Sequence, residues 1–146
     1  RITQGAHMPA VKALEPVTRE HQQIEETMIR CLRQRLPEQL AATFYAHSAR
    51  VLVPGRSPIE GLPAIVQFWQ AVFSAVLIDV RLESQHVDAE HELAFGTWTF
   101  LTKFETQPGI LRSDHGKYLT VYRRHADGNW RALEQSLSFD VAIPVP

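Results

Sequence analysis

The stretch from Gly116 to Phe139 constrains the fold more than any other part of the chain. It reads GKYLTVYRR, then HADGN, then WRALEQSLSF. Two runs rich in Tyr, Val, Leu, Trp and Thr flank Asp127-Gly128. That dipeptide between β-rich runs marks a hairpin, because Gly takes positive φ at little steric cost.

The period of two begins well before this hairpin. Ile78, Val80 and Leu82 alternate with Asp79, Arg81 and Glu83, the pattern of a half-buried antiparallel strand. Asp88 to Glu92 (DAEHE) reads as a polar turn, Leu93 to Phe104 as a long strand, and Gln107-Pro108-Gly109 as the next turn. Arg112 to Arg124 and Trp130 to Phe139 complete a meander of four long strands.

Upstream of Ile78 the spacing is helical. Thr18 is placed to cap a helix in which Ile24, Met28, Cys31, Leu32 and Leu36 form one buried stripe, with Glu25, Glu26, Arg30, Arg33 and Arg35 between them. Pro37 ends that helix and opens a short second one, with Leu40, Ala41, Phe44 and Tyr45 on its inner face. Arg50 to Val53 is a short strand stopped by Pro54-Gly55. Gly61-Leu62-Pro63 starts a third helix. Its stripe of Leu62, Ile65, Phe68, Trp69, Val72, Phe73 and Val76 is broad enough to pack across a sheet. Helices segregated from a later antiparallel sheet indicate an α+β domain.

Strand parity assigns the faces. In the last strand Leu133, Gln135, Leu137, Phe139 and Val141 share one side; Trp130, Ala132, Glu134, Ser136 and Ser138 share the other. In the second long strand Phe95, Thr97, Thr99 and Leu101 oppose Trp98, Phe100 and Phe104. Neither side of that strand is solvent-like. One should meet the helices and the other a second copy of the chain.

The 146 residues suit one domain, expected over residues 18–146. Residues 1–7 read as a cloning remnant before Met8, and residues 8–17 as a flexible arm. With 15 basic and 16 acidic side chains interspersed, there is no electrostatic footprint for nucleic acid or an anionic membrane. No apolar run approaches the roughly 20 residues that span a bilayer. Cys31 is the lone cysteine, which excludes an internal disulfide and fits a reducing compartment. No leader pattern follows Met8, so the expected location is cytoplasmic.

Three local patterns, taken with the element order, carry a resemblance. They are the small-residue and Pro-Gly stretch Ala46 to Gly55, the G-x-x-A-I-x-x-F-W helix start at Gly61 to Trp69, and the G-K-Y-L-x-V-Y-R-R strand with its D-G-x-W-R turn. From Thr18 to Phe139 the chain resembles the SnoaL-like and ketosteroid-isomerase-like branch of the nuclear-transport-factor-two-like superfamily. The resemblance implies a cone: a curved antiparallel sheet wrapped round three N-terminal helices, with a mostly apolar pocket and homodimers through the outer sheet face. It implies no one reaction, because this fold hosts many.

The isomerase roles of that family do not carry over. The catalytic Asp before the first-strand proline corresponds to Val53. The oxyanion Asp of the third long strand corresponds to Thr120. The oxyanion Tyr of the first helix has no counterpart among Ile24, Met28 and Ile29. The cyclase branch's late-strand Asp falls at Gln135, which transfers no proton.

Candidate site residues remain. Gln135 interrupts an apolar strand face and can bond a ligand or a neighbouring Tyr. Tyr118, Thr120 and Tyr122 share one parity and form either a hydroxyl cluster or ordinary strand composition. Thr97 and Thr99 are read with them as pocket handles, and Tyr45 as a pocket residue. The resemblance places Trp69 on the pocket wall, where a core aromatic is the plainer role. His47 is the candidate proton-transfer group, with an unperturbed pKa near 6.5, against a surface His at a helix C-terminus. Asp114 and His115 point to opposite faces and suit a loop. His86, Asp88, Glu90 and His91 match no zinc spacing, so no metal is expected. No P-loop, dinucleotide or G-x-S-x-G fingerprint is present, and no cofactor is expected.

The expected function is binding of a small apolar or aromatic molecule in the cone. The alternatives are a cofactor-free isomerase, cyclase or dehydratase with an unusual base, and a non-catalytic module docking a protein on an exposed Trp98–Phe100 face.

Overall fold

The computed structural model describes residues 15–75 and 77–140. The expectations for residues 1–14, Val76 and Val141 lie outside them.

Helix α1 spans Glu15–Gln34. It begins ahead of Thr18, so the expected cap position is inside the helix. Met28, Cys31 and Leu32 are buried as the stripe predicts, but His21 and Glu25 are buried with them. The helix ends where the Leu36 amide donates to the Cys31 carbonyl (2.9 Å) and the Arg35 amide to that of Leu32 (3.2 Å), with Arg35 in the left-handed region. This paired closure satisfies carbonyls that have no partner within the helix. Helix α2 (Pro37–Phe44) starts on Pro37.

Strand β1 spans Tyr45–Leu52, five residues longer at its start than expected. It takes Tyr45 and His47 out of the helix. Strand β2 is the pair Ile59–Glu60, and helix α3 spans Leu62–Ala75. Gly61, at φ +80°, turns the chain into α3; its amide donates to the Ala49 carbonyl and its own carbonyl accepts from Ile65. A left-handed residue here favours Gly.

Four long strands follow: β3 (Leu77–Glu90), β4 (Leu93–Gln107), β5 (Ile110–Arg124) and β6 (Trp130–Phe139). The first turn is narrower than DAEHE suggests, since β3 runs through Glu90 and the reversal falls on His91 and Glu92. The sheet order is β2-β1-β6-β5-β4-β3. The meander is antiparallel, but β1 runs parallel to β6, so the sheet is mixed. Bulges bend the long strands. The curved sheet covers the helices as an open cone, with α1 against β3 and α3 against β1.

Two face assignments need correction. In β4 the inner side carries Ala94, Gly96, Trp98, Phe100 and Thr102, all buried, while Phe95 and Thr97 are exposed outside. Trp98 (2% exposed) and Phe100 (4%) therefore offer no face for a docking partner. In β6, Val121 opposes Glu134 but Tyr122 opposes Ala132, so one residue is extra on β6. This slip flips the parity. Trp130 and Ala132 thus point inward together with Gln135.

Candidate ligand cavity

A cavity of about 290 Å³ lies between the inner sheet face, α1 and α3. Helix α1 contributes Met28, Ile29 and Leu32. Helix α3 contributes Phe68, Trp69 and Val72. The strands add Val53 beyond β1, Val80 and Leu82, Phe100, Thr102 and Phe104, Tyr118, and Gln135, Leu137 and Phe139. Apart from the Trp69 indole N–H, the polar side chains on the wall are Thr102, Tyr118 and Gln135. Thr102 is committed: its hydroxyl donates to the Asp114 carbonyl at 3.1 Å.

Gln135 is held from behind. Tyr45 donates its hydroxyl to Gln135 Oε1 at 2.5 Å, and Trp69 Nε1 donates to the Tyr45 oxygen at 3.3 Å. Burial pushes the Tyr45 phenol well up, which keeps its proton in place to donate. The Gln135 amide nitrogen faces weaker acceptors, Thr120 Oγ1 at 3.4 Å and Met28 Sδ at 4.0 Å. The Tyr45 bond fixes the amide oxygen and so turns the N–H side toward Thr120 and the wall residue Met28.

Behind the Tyr118 wall lies a carboxyl group. Tyr118 donates to Glu25 Oε2 at 2.5 Å, and Tyr122 donates to Glu25 Oε1. Glu25 is 1% exposed. Burial raises its pKa from 4.5 to about 7, against the lowering effect of the two phenol hydrogen bonds. The His21 ring stands edge-on to Tyr122, with centroids 4.7 Å apart, and packs on Trp130 at 5.0 Å. The cavity thus has a protonatable group one side chain behind its wall.

A model of the SnoaL-like domain matches residues 26–133. The chain belongs to the SnoaL-like family. Among curated proteins none matches. Similar solved structures include a ketosteroid isomerase-like protein from Erwinia carotovora atroseptica, 18% identical, TM-score 0.75, covering 83% of this chain and 94% of that one. A nuclear transport factor 2-like superfamily protein from Salmonella enterica is 14% identical, TM-score 0.76, with coverage of 89% and 95%. A Catenulispora acidiphila structure in complex with S-DNPA is 22% identical, TM-score 0.73, with coverage of 86% and 94%. At these identities the likeness is one of fold.

In this SnoaL-like domain the sequence-derived site residues divide into three groups. Trp69, Tyr118 and Gln135 line the cavity. Tyr45 and Thr120 are fully buried in the layer behind, bonded to Gln135. Thr97 and Thr99 are not on the wall: they belong to the outer parity of β4, opposite Trp98 and Phe100. His47 is exposed on β1 and reaches no part of the cavity. Asp114 and His115 pair instead with Arg112 (2.8 Å) and Glu83 (3.1 Å). Glu25 was missed because it lies between the apolar positions. Its spacing was the available signal, three residues before Met28 and four after His21, on the same helical face.

Proposed function

We propose that this SnoaL-like protein binds a small, largely apolar or aromatic molecule in the cavity under its sheet. One observation carries the reading: a hollow of about 290 Å³ remains in the core, its wall almost wholly apolar, with Thr102, Tyr118 and Gln135 the few polar residues that border it. Domain interiors are otherwise close-packed, and ligand sites have this mixture of apolar wall and sparse polar handles. The relative bound to S-DNPA adds support from the same fold. We also infer a homodimer through the outer face of β4 and β5, where Leu93 (46% exposed), Phe95 (39%) and Leu119 (44%) stand together. The buried lone thiol Cys31 supports a reducing, cytoplasmic setting. The test is a thermal-shift screen of small aromatic and alicyclic compounds on the protein and on Val72→Trp, which puts an indole into the hollow. Hits should raise the wild-type Tm and leave the folded variant's Tm unmoved. Equal shifts in both would refute the cavity as the site.

A second reading, cofactor-free isomerase, cyclase or dehydratase chemistry, is favoured by Glu25 standing behind Tyr118. Perturbed carboxyls beside a cleft suit acid–base work. Here Tyr118 would meet the substrate and Glu25 would take or return its proton. Tyr118→Phe should abolish turnover of an accepted substrate while binding persists, and His47→Ala should change neither.

A further inference from the structure

The apolar cavity has a charged neighbour. A second hollow, about 420 Å³, lies between α1 and the edge strand β3 and is lined by Glu26, Ile29, Arg30, Arg33, Arg81 and Leu82 among others. Ile29 and Leu82 belong to both hollows. Both are only half-buried, and they stand between the two hollows as a shared rim.

The guanidinium groups differ in their commitments. Arg33 is occupied, with Asp79 at 3.4 Å and the Val80 carbonyl at 3.2 Å. The side chains of Arg30 and Arg81 make no ion pair among the described residues, and both are exposed. Among the described residues Glu26 is the one carboxylate lining the same hollow. Two free guanidiniums against one carboxylate leave a single positive charge beside the rim. Like charges that line one hollow repel, and a bound anion would relieve that repulsion.

Resting on the cavity reading above, we infer that the ligand is an amphipathic carboxylic acid. Its apolar body occupies the cavity, and its carboxylate crosses the Ile29–Leu82 rim to meet Arg30 and Arg81. A guanidinium holds a carboxylate in a planar, two-point bond, and two of them fix the head group's position. The partial neutralisation by Glu26 matches a single negative charge.

The test compares decanoate with decan-1-ol by isothermal titration in 50 mM and 500 mM salt. The wild type should bind the acid at least tenfold more tightly at low salt, with the margin shrinking at high salt. Arg30→Gln combined with Arg81→Gln should bring the two ligands to parity while leaving the alcohol's Kd within twofold. Glu26→Gln should widen the acid's advantage. Equal affinity in the wild type, or an advantage that survives the double substitution, overturns the arginine rim and leaves the cavity standing. Absence of binding by either compound overturns both.

Discussion

Replacing Glu25 by Gln tests the site's most unusual feature. The carboxyl is buried, and its pKa stands at about 7 instead of 4.5. A folded-state pKa above the unfolded one means the native protein holds its proton more tightly. Stability is therefore complete below pH 4.5 and falls as pH rises through about 7. At about 1.4 kcal/mol per tenfold change in proton affinity, ionising Glu25 costs the fold about 3 kcal/mol by pH 8. For a domain of this size that corresponds to about 6–12 °C in Tm. Gln keeps the shape and an acceptor oxygen for one phenol, and it cannot ionise. Urea unfolding followed by Trp fluorescence at pH 5, 6, 7 and 8 reads the effect directly, since Trp69, Trp98 and Trp130 are all buried.

Wild-type stability should drop across that range relative to Glu25→Gln by about 2–3 kcal/mol, from a small deficit for the variant at pH 5 to an advantage at pH 8. The difference between the two proteins cancels the contributions of exposed His residues. Parallel stability curves would refute the argument, because they would mean the carboxyl titrates as it does in the unfolded chain.

Two further outcomes follow from packing. Gly116→Ala should destabilise by about 1–3 kcal/mol in the same unfolding assay, because its Cβ would run into the Phe100 ring and meet the Ser138 carbonyl oxygen at 2.7 Å, and a backbone oxygen cannot swing aside. Phe95→Glu with Leu119→Glu should convert a dimer to a monomer by light scattering while leaving the far-UV spectrum intact; a wild type that is already monomeric would remove the outer face as a contact surface.

The element order and the final hairpin were legible because their signals are local. Asp127-Gly128 supplies the left-handed turn residue, with Gly128 at φ +82°, and β6 falls where the period of two places it. The ends of α2 and β1 were not. Phe44 and Tyr45 are both buried, and an apolar pair at such a boundary suits a helix face as well as a strand. What draws Tyr45 into the strand is distant: its phenol bonds Gln135, ninety positions along the chain, and its backbone pairs with Ala132.

The site was legible where parity survived and lost where it did not. Gln135, Thr120 and Tyr118 follow an unbroken alternation on both sides of the β5–β6 pairing, and all three are buried. Trp130 and Ala132 lie beyond the bulge, where counting by two gives the wrong face. Glu25 escaped for a different reason. Hydrophobic periodicity assigns a carboxylate to solvent, because an unpaired buried charge is costly. The cost here is offset by groups that no helical pattern can reveal, the phenols of Tyr118 and Tyr122 on β5. Their presence on the inner face was visible, as two hydroxyls four residues apart on a strand. Two inward phenols facing one helix need an acceptor, and Glu25 is the residue of that helix face able to serve both. The informative observation was therefore the pair of inward strand donors taken with the helical spacing of Glu25 from His21 and Met28, which sets a carboxyl on the face that meets both phenols.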